Sequence, residues 1–307
     1  MLRFIIRRLL ITIPTILVVI TITWGLVRLA PGNFYTTDRR LTPEIEKNIR
    51  EKYGLDKPWY EQYRRTIWGI VRHLDFGTSL KYEGQSVNAI IARSLPVSAT
   101  IGILAYLLAL VVGVTVGSLA ALKPNSNGDY ASMALAMLGI SIPNFVLGPI
   151  LVFVFSLTLY WLPPSRWNGF PSRNIILPVI TLSAIYMAYI ARLTRAGMLE
   201  VLRSDYIRTA RSKGLSEWQV VTRHALRGGL MPVISYTGPA LAFLVTGTVV
   251  VERIFVLPGL GNYFIQASLN RDEPLIIGIV AFIAITLLLM NLLVDIAYAY
   301  LDPRIRY

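Results

Sequence analysis

The sequence predicts an all-α membrane protein with six transmembrane helices, an external helical hairpin and a cytoplasmic helix-turn-helix. Three observations carry that reading. Of 307 residues, 54% are hydrophobic and only 15% charged, a balance too apolar for a soluble globule with an ordinary surface. The apolar residues gather in long uncharged runs, and about 20 such residues in a helix cross the hydrocarbon of a bilayer. The one sizeable polar interruption in the last two thirds of the chain, Ser204 to Leu226, is crowded with Lys and Arg, as cytoplasmic loops are.

Composition also excludes several chemistries. A net charge of +13 would suggest nucleic acid in a soluble protein, but here the excess falls in segments that a cytoplasmic placement explains, so no nucleic-acid partner is expected. The chain has no Cys, hence no disulfide, thiolate metal site or thiol nucleophile. His73 and His224 lack metal-ligand spacing. There is no GxxxxGK[ST] phosphate loop, HExxH motif, GxSxG elbow or pair of carboxylates inside an apolar run. The chain therefore offers no catalytic, cofactor-binding or metal-binding residues and is not expected to hydrolyse ATP.

Taken in order, Arg3, Arg7 and Arg8 precede an uncharged run from Leu9 to Val27. That run exceeds a signal-peptide core and lacks a small-residue cleavage site, so it reads as an uncleaved first span with the N-terminus in the cytoplasm. Residues 30–93 then lie outside. Thr42 can cap a helix with Pro43 at its first position and Glu44 and Glu46 in its first turn, ended by Gly54. A second helix starts at Pro58, with Tyr60, Tyr63, Ile67, Val71 and Leu74 at helical spacing. This hairpin either rests on the bilayer surface or meets an external partner.

The run between Arg93 and Lys123 is predicted to start its helix near Pro96. Its Gly113 and Gly117 form a small-xxx-small pair, packing either inside the bundle or against a second subunit. After a tight turn over Lys123 to Asp129 come 36 uncharged residues before Arg166, too few for two spans and a turn. One long helix kinked near Pro143 or Pro149 is expected there. The fourth run ends at Arg192. The fifth, carrying Pro232 and Pro239, ends at Glu252-Arg253, and Pro258, Gly259 and Gly261 forbid a long helix after it. The last span starts at Pro274 behind Asp272 and Glu273, and Asp302 to Arg306 returns to the cytoplasm. The chain thus divides into an anchor helix over 1–29, an external helical segment over 30–95, and a core of five helices over 96–307 containing the loop 198–230.

The loop itself is SDYIRTARSKGLSEWQVVTRHAL. From Arg192 to Arg227 it holds eight Lys or Arg against three acids, which assigns it to the cytoplasm. Tyr206, Ile207, Thr209 and Ala210 suit a helix whose end is crowded by Arg208, Arg211 and Lys213. Gly214 reads as its left-handed stop. Ser216 and Gln219 form a capping box for a second helix, with Leu215 and Val220 as its hydrophobic staple.

This loop resembles the EAA loop of permease subunits in binding-protein-dependent ABC importers, and YIRTARSKGL followed by RHAL is similar to the oligopeptide and dipeptide branch. It departs from the general pattern at Arg208 and Thr209, where many importers have Glu and Ala, and at Arg227, where many have Pro. TGTVVVERIFVLPGLG resembles the external loop after the penultimate span of the same permeases. The resemblance covers essentially the whole chain and implies the type I ABC importer permease fold in a bacterial inner membrane. It further implies a second, homologous permease subunit, two ATPase subunits that bind ATP and Mg and grip the loop, and a periplasmic binding protein that selects peptides. Membrane lipid is the surrounding solvent. On that basis Tyr206, Arg208, Thr209, Ala210, Lys213, Gly214, Leu215, Ser216, Trp218, Arg223 and His224 are the candidate ATPase-coupling residues. Glu252, Pro258, Gly259 and Gly261 are candidates for an external gate. An ion-coupled secondary transporter is the alternative, although such coupling usually needs ionisable groups at the bilayer midplane.

Overall fold

The structure, a computed structural model, describes residues 2–30, 44, 47, 51, 53–164 and 166–301. Helices dominate, and the described chain falls into two compact units. One is built from Met1–Val97 and Pro258–Leu289, the other from Ser98–Leu257 and Met290–Arg306.

In the first unit, α1 (Leu2–Leu29) carries the expected first span, with Pro14 inside it. The expected helix from Pro43 to Gly54, with Thr42, Ile45, Glu46 and Ile49, lies largely outside the described residues, although Gly54 has the left-handed φ of 67° that a helix stop requires. The helix α2 (Trp59–His73) begins behind Pro58 as expected. Ile70 on α2 is buried with Ile20 of α1 and with Ile277 and Ala281, and Ile16, Trp24 and Ile67 pack against them. A second cluster joins Val87, Ile90 and Ile91 to Leu260, Ala267, Leu275, Ile276 and Ile279. These last come from α11 (Leu260–Leu269) and from the start of α12 (Glu273–Leu301), the final span.

Pro96 does not start the second span. The helix α3 runs unbroken over Val87–Leu122 with Pro96 inside it. The true start is set by Ser86, whose hydroxyl accepts the Ala89 N–H at 3.1 Å, while Gly77 O accepts the Val87 N–H at 2.9 Å. With those first amides satisfied nine residues earlier, helix formation no longer depends on proline at the first position.

In the second unit, α4 (Asn127–Ser141) is capped by Ser126. The single kinked helix expected next is instead two pieces, α4 and Asn144–Thr158, meeting at 103°. The second piece begins as α5 (Asn144–Leu151) and continues as a π-helical stretch over Val152–Thr158. Pro143 is the cause: it has no N–H to give, and it drives Ile142 to an extended φ of −86° and ψ of 112°, a geometry no helix continues through. Among the described residues five helices are long and apolar enough to span, and a sixth span is added if this bent pair counts as one.

A buried stripe along α6 (Ile176–Leu202), including Leu182, Ile190, Thr194 and Met198, forms the centre of this unit. Gly113 and Gly117 face it, and here the chain settles the choice left open by the sequence. A Cβ at Gly113 would lie 2.9 Å from Ile190 Cβ, and one at Gly117 would lie 2.7 Å from Thr194 Cβ. The small pair serves contact within the chain, bringing α3 and α6 closer than any larger residue allows. After α6 come α7 (Asp205–Ser212) and α8, which starts at Glu217–Gln219, passes through a π-helical stretch Val220–Ala225 and ends in Leu226–Gly229. The helices α9 (Met231–Val245) and α10 (Val249–Ile254) complete the unit, separated at Gly247, whose φ is 103°.

Candidate functional site

The turn between α7 and α8 is held by hydrogen bonds from the N–H groups of Lys213, Gly214, Leu215, Ser216 and Gln219. Ser204 precedes α7 in extended conformation, and its hydroxyl donates to Val201 O at 2.6 Å. At the other end Lys213 N–H reaches Thr209 O at 3.1 Å and Gly214 N–H reaches Arg211 O at 2.9 Å. Gly214 takes the left-handed conformation that its position predicted, with φ of 78°, and no atom lies within 4 Å of where a Cβ would stand. Glycine is therefore required by backbone conformation and not by crowding.

The capping box is present in both halves. Ser216 Oγ accepts the Gln219 N–H at 3.4 Å, and Gln219 Oε1 accepts the Ser216 N–H at 3.3 Å. Leu215 packs against the cluster that buries Val220, as a staple should. The structure adds a clamp that the sequence reading missed: Arg211 Nε and Nη2 donate to the two carboxylate oxygens of Glu217 at 2.8 and 3.2 Å. The Arg211 guanidinium holds the Glu217 carboxyl below its ordinary range. Only Arg211 lies in the last turn of α7. Lys213 stands just past the end, and Arg208 is a turn earlier, 3.4 Å from Asp205.

Beneath this rigid turn lies a small core. Ile207 and Ala210 of α7 and Val220, Val221 and Ala225 of α8 bury together with Met198 of α6 and Ala121 at the end of α3. Burying Ile207 and Val220 stabilises this packing by about 1.5–3 kcal/mol each. Above it, facing away, are Tyr206, Arg208, Thr209, Lys213, Gly214, Ser216, Trp218 and Arg223, all exposed, with Leu215 and His224 half-buried. Trp218 keeps 76% of its surface exposed and Tyr206 keeps 50%. Of the eleven candidate coupling residues, then, the structure gathers all on one helix-turn-helix, but Ala210 is part of its foundation and not of its outer face. Cations and exposed aromatics on a capped turn have the chemistry to pair with acidic and apolar groups of another surface; among the described residues no group of His, Cys, Asp and Glu is placed to hold a metal.

The four candidates for an external gate divide between the two units. Glu252, in α10, is only 2% exposed and accepts the Ser98 hydroxyl at 2.7 Å. Its carbonyl accepts the Leu257 N–H at 2.8 Å, which closes the turn after α10. Pro258 is exposed, while Gly259 and Gly261 are buried, Gly259 as the residue capping α11 and Gly261 inside its first turn. A helix of ten residues therefore follows Pro258 directly, Gly261 notwithstanding.

Two further polar anchors escaped the sequence reading. Asp272 is fully buried; it accepts the Ser79 hydroxyl, the Leu80 N–H at 3.1 Å and the Lys81 N–H at 3.2 Å, and caps α12 through the Leu275 N–H at 3.3 Å. The segment Asp75-Phe76-Gly77 leads into this anchor, with Asp75 Oδ1 accepting the Gly77 N–H at 2.9 Å. In the other unit Asp129 pairs with Arg195. The sequence marked Asp129 as part of a turn and Asp272 as a helix-end acid, but no local pattern reports a partner so far along the chain.

Comparison with known proteins agrees with this architecture. Residues 113–307 match the family described as binding-protein-dependent transport system inner membrane component, and residues 1–102 match the N-terminal model of the same membrane component. Over its full length the chain is 46% identical to the oligopeptide transport system permease protein OppB of Haemophilus influenzae and 47% identical to that of Salmonella typhimurium, each covered completely. It is 42% identical to the dipeptide transport system permease protein DppB of Bacillus subtilis, over 100% of this chain and 98% of that protein. A solved structure of the MetNI methionine ABC transporter, inward facing, aligns with a TM-score of 0.55 at 16% identity, covering 69% of this chain and 96% of that one, and so shares its fold. The chain is a multi-pass member of the binding-protein-dependent transport system inner membrane component family, with the fold of a type I ABC importer permease.

Proposed function

We propose that this protein forms half of the translocation path of an ATP-driven importer of short peptides, together with a second permease subunit, two ATPase subunits and a periplasmic peptide-binding protein. The full-length identity to oligopeptide and dipeptide permeases supports the substrate class. One observation carries the mechanical part: the turn from Ser204 to Gln219 is capped, clamped and seated on α6 and α3 by contacts within the chain itself.

In this mechanism ATP and Mg belong to the partner subunits, and this chain supplies a rigid receiver. Tyr206, Arg208, Lys213, Trp218 and Arg223 meet the ATPase surface. A displacement there passes through Ile207, Ala210, Val220 and Val221 to Met198 of α6 and Ala121 of α3, because a close-packed core transmits a push and does not absorb it. Both termini and the loop lie in the cytoplasm on this reading, and the region around Asn262 lies outside, where Glu252, Pro258, Gly259 and Gly261 contribute to an external gate.

Growth on short peptides as the source of a required amino acid tests the substrate. Cells lacking the chain should fail on the peptide and recover on the free amino acid. Normal peptide uptake, with a defect confined to a sugar or a metal, would contradict the proposal.

A further inference from the structure

The centre of α6 carries a group of tyrosines that its surroundings within the chain do not explain. Tyr236 of α9 stacks at a tilt against Tyr186 and Tyr189 of α6, with ring centroids 6.3 and 5.9 Å apart. One turn of phenol chemistry nearby is fully satisfied: Thr237 gives its proton to Val233 O at 2.9 Å, so the Tyr106 hydroxyl donates to Thr237 Oγ1 at 2.5 Å. Tyr186, Tyr189 and Tyr236 differ. Among the described residues no hydrogen bond reaches their hydroxyls, and their side chains are half-buried or, at Tyr189, 39% exposed.

Depth makes this unusual. Tyr186 lies ten residues beyond Ile176, about 15 Å along a helix rising ~1.5 Å per residue, which is near the middle of a hydrocarbon layer of about 30 Å. Interfacial tyrosines belong at the headgroups. A phenol at mid-membrane usually finds a hydrogen-bond partner, and leaving one without it in apolar surroundings is costly. The run from Asn174 to Ala191 holds no charge, nor does the run from Gly228 to Val251.

We infer that Tyr186, Tyr189 and Tyr236 line the path and bind the peptide in transit, their hydroxyls hydrogen-bonding to its backbone amides and their rings packing against its side chains. The inference rests on the peptide-importer reading above. An uncharged site of this kind suits a cargo of varied sequence: every peptide offers backbone carbonyls, and every side chain can lie on an aromatic face, whereas a fixed charge would favour some sequences and reject others.

The test uses the complete transporter, both permeases, both ATPases and the binding protein, in lipid vesicles. Tyr186→Phe, Tyr189→Phe and Tyr236→Phe, combined in one chain, keep the rings and remove the hydroxyls. ATP-driven uptake of a labelled tripeptide should fall about tenfold, the loss of a few hydrogen bonds, while complex yield and ATP hydrolysis stay at the wild-type level. Undiminished uptake would overturn the inference, as would a parallel loss of ATP hydrolysis and complex yield, which would mean that the hydroxyls pack subunits together. A benzophenone amino acid at position 189 provides an independent readout. Light should join it to the labelled peptide during turnover; adducts only with lipid or only with the second permease would overturn the inference. If the wild-type complex imports no peptide at all, the importer reading itself fails and the inference falls with it, so the two failures are told apart.

Discussion

Arg195 and Asp129, 66 positions apart, form a two-bond fork in which Nε and Nη2 each donate to a carboxylate oxygen at 2.6 Å. The Asp129 carboxylate also accepts the Asn125 N–H at 2.9 Å, so one side chain closes the turn before α4 and ties that turn to α6. Asp129 is buried while Arg195 keeps a quarter of its side chain exposed. Removing only the arginine strands a buried carboxylate, whereas removing both leaves nothing charged to solvate. Arg195→Ala should therefore lower the melting temperature of the purified complex by more than the Asp129→Ala, Arg195→Ala double variant does relative to Asp129→Ala alone. Strictly additive shifts would mean that the fork contributes no coupling.

A second anchor makes a prediction in the other unit. Asp272 satisfies the amides of Leu80, Lys81 and Leu275 together. Asp272→Ala removes a helix cap worth about 1 kcal/mol and leaves buried amides unpaired at about 1–3 kcal/mol each. A loss of roughly 3 kcal/mol or more in denaturant unfolding of the purified protein is expected. A loss below about 1 kcal/mol would show that water or a shifted loop replaces the carboxylate.

Gly214 separates conformational need from packing need. With φ of 78° and open space at the Cβ position, asparagine, which tolerates this region, should substitute well, and a β-branched residue should not. Gly214→Asn should keep near-normal peptide uptake. Gly214→Val should insert and pair with its partner permease yet retain less ATPase on co-purification and import several-fold less peptide. Equal behaviour of the two variants would reduce Gly214 to an ordinary helix stop, worth about 1 kcal/mol.

The Arg211 and Glu217 clamp carries a pH dependence of known sign. Because the guanidinium lowers the Glu217 carboxyl from its ordinary value of 4.5, the clamp contributes above that value and is lost as pH falls through the lowered one. ATPase retention should be flat across neutral pH and should weaken through loss of this clamp only in acid. With Glu217 63% exposed, Glu217→Gln should weaken retention by no more than about fivefold, as exposed pairs contribute ~1 kcal/mol or less. A steep change near neutral pH in wild type that Glu217→Gln removes would contradict this assignment.

How much of this was legible in the sequence depends on how local each determinant is. The stop at Gly214, the Ser216 and Gln219 box and the start of α2 behind Pro58 are written within a turn or so of chain, and all are present in the structure. Pro96 and Pro143 show the limit of local reading. Proline inside a helix and proline at a break leave the same mark in a sequence; what separates them is that Ser86 and Gly77 start α3 upstream, while Ile142 turns extended before Pro143. The loop's outer face was legible in composition, but the burial of Ala210 depends on Met198 and Ala121, which no window around Ala210 contains. Asp129 with Arg195 and Asp272 with Ser79 were invisible for the same reason. The tyrosines of α6 and α9 lay unremarked inside apolar runs, since neither run alone brings Tyr186 and Tyr236 together.

In the proposed mechanism the exposed face of the Ser204–Leu226 loop receives an ATPase subunit and drives import through it. Because the chain has no cysteine, Arg208→Cys and Trp218→Cys each place a single thiol on that face without background. Cross-linking of these variants in the full transporter, with a short bifunctional maleimide and a cysteine-bearing ATPase subunit, is the most direct measurement. A covalent product with the ATPase is expected from both positions, on the cytoplasmic side of the membrane, with peptide uptake arrested once it forms. Thiols that label from outside the cell, or a cross-linked complex that still imports peptide at the wild-type rate, would contradict it.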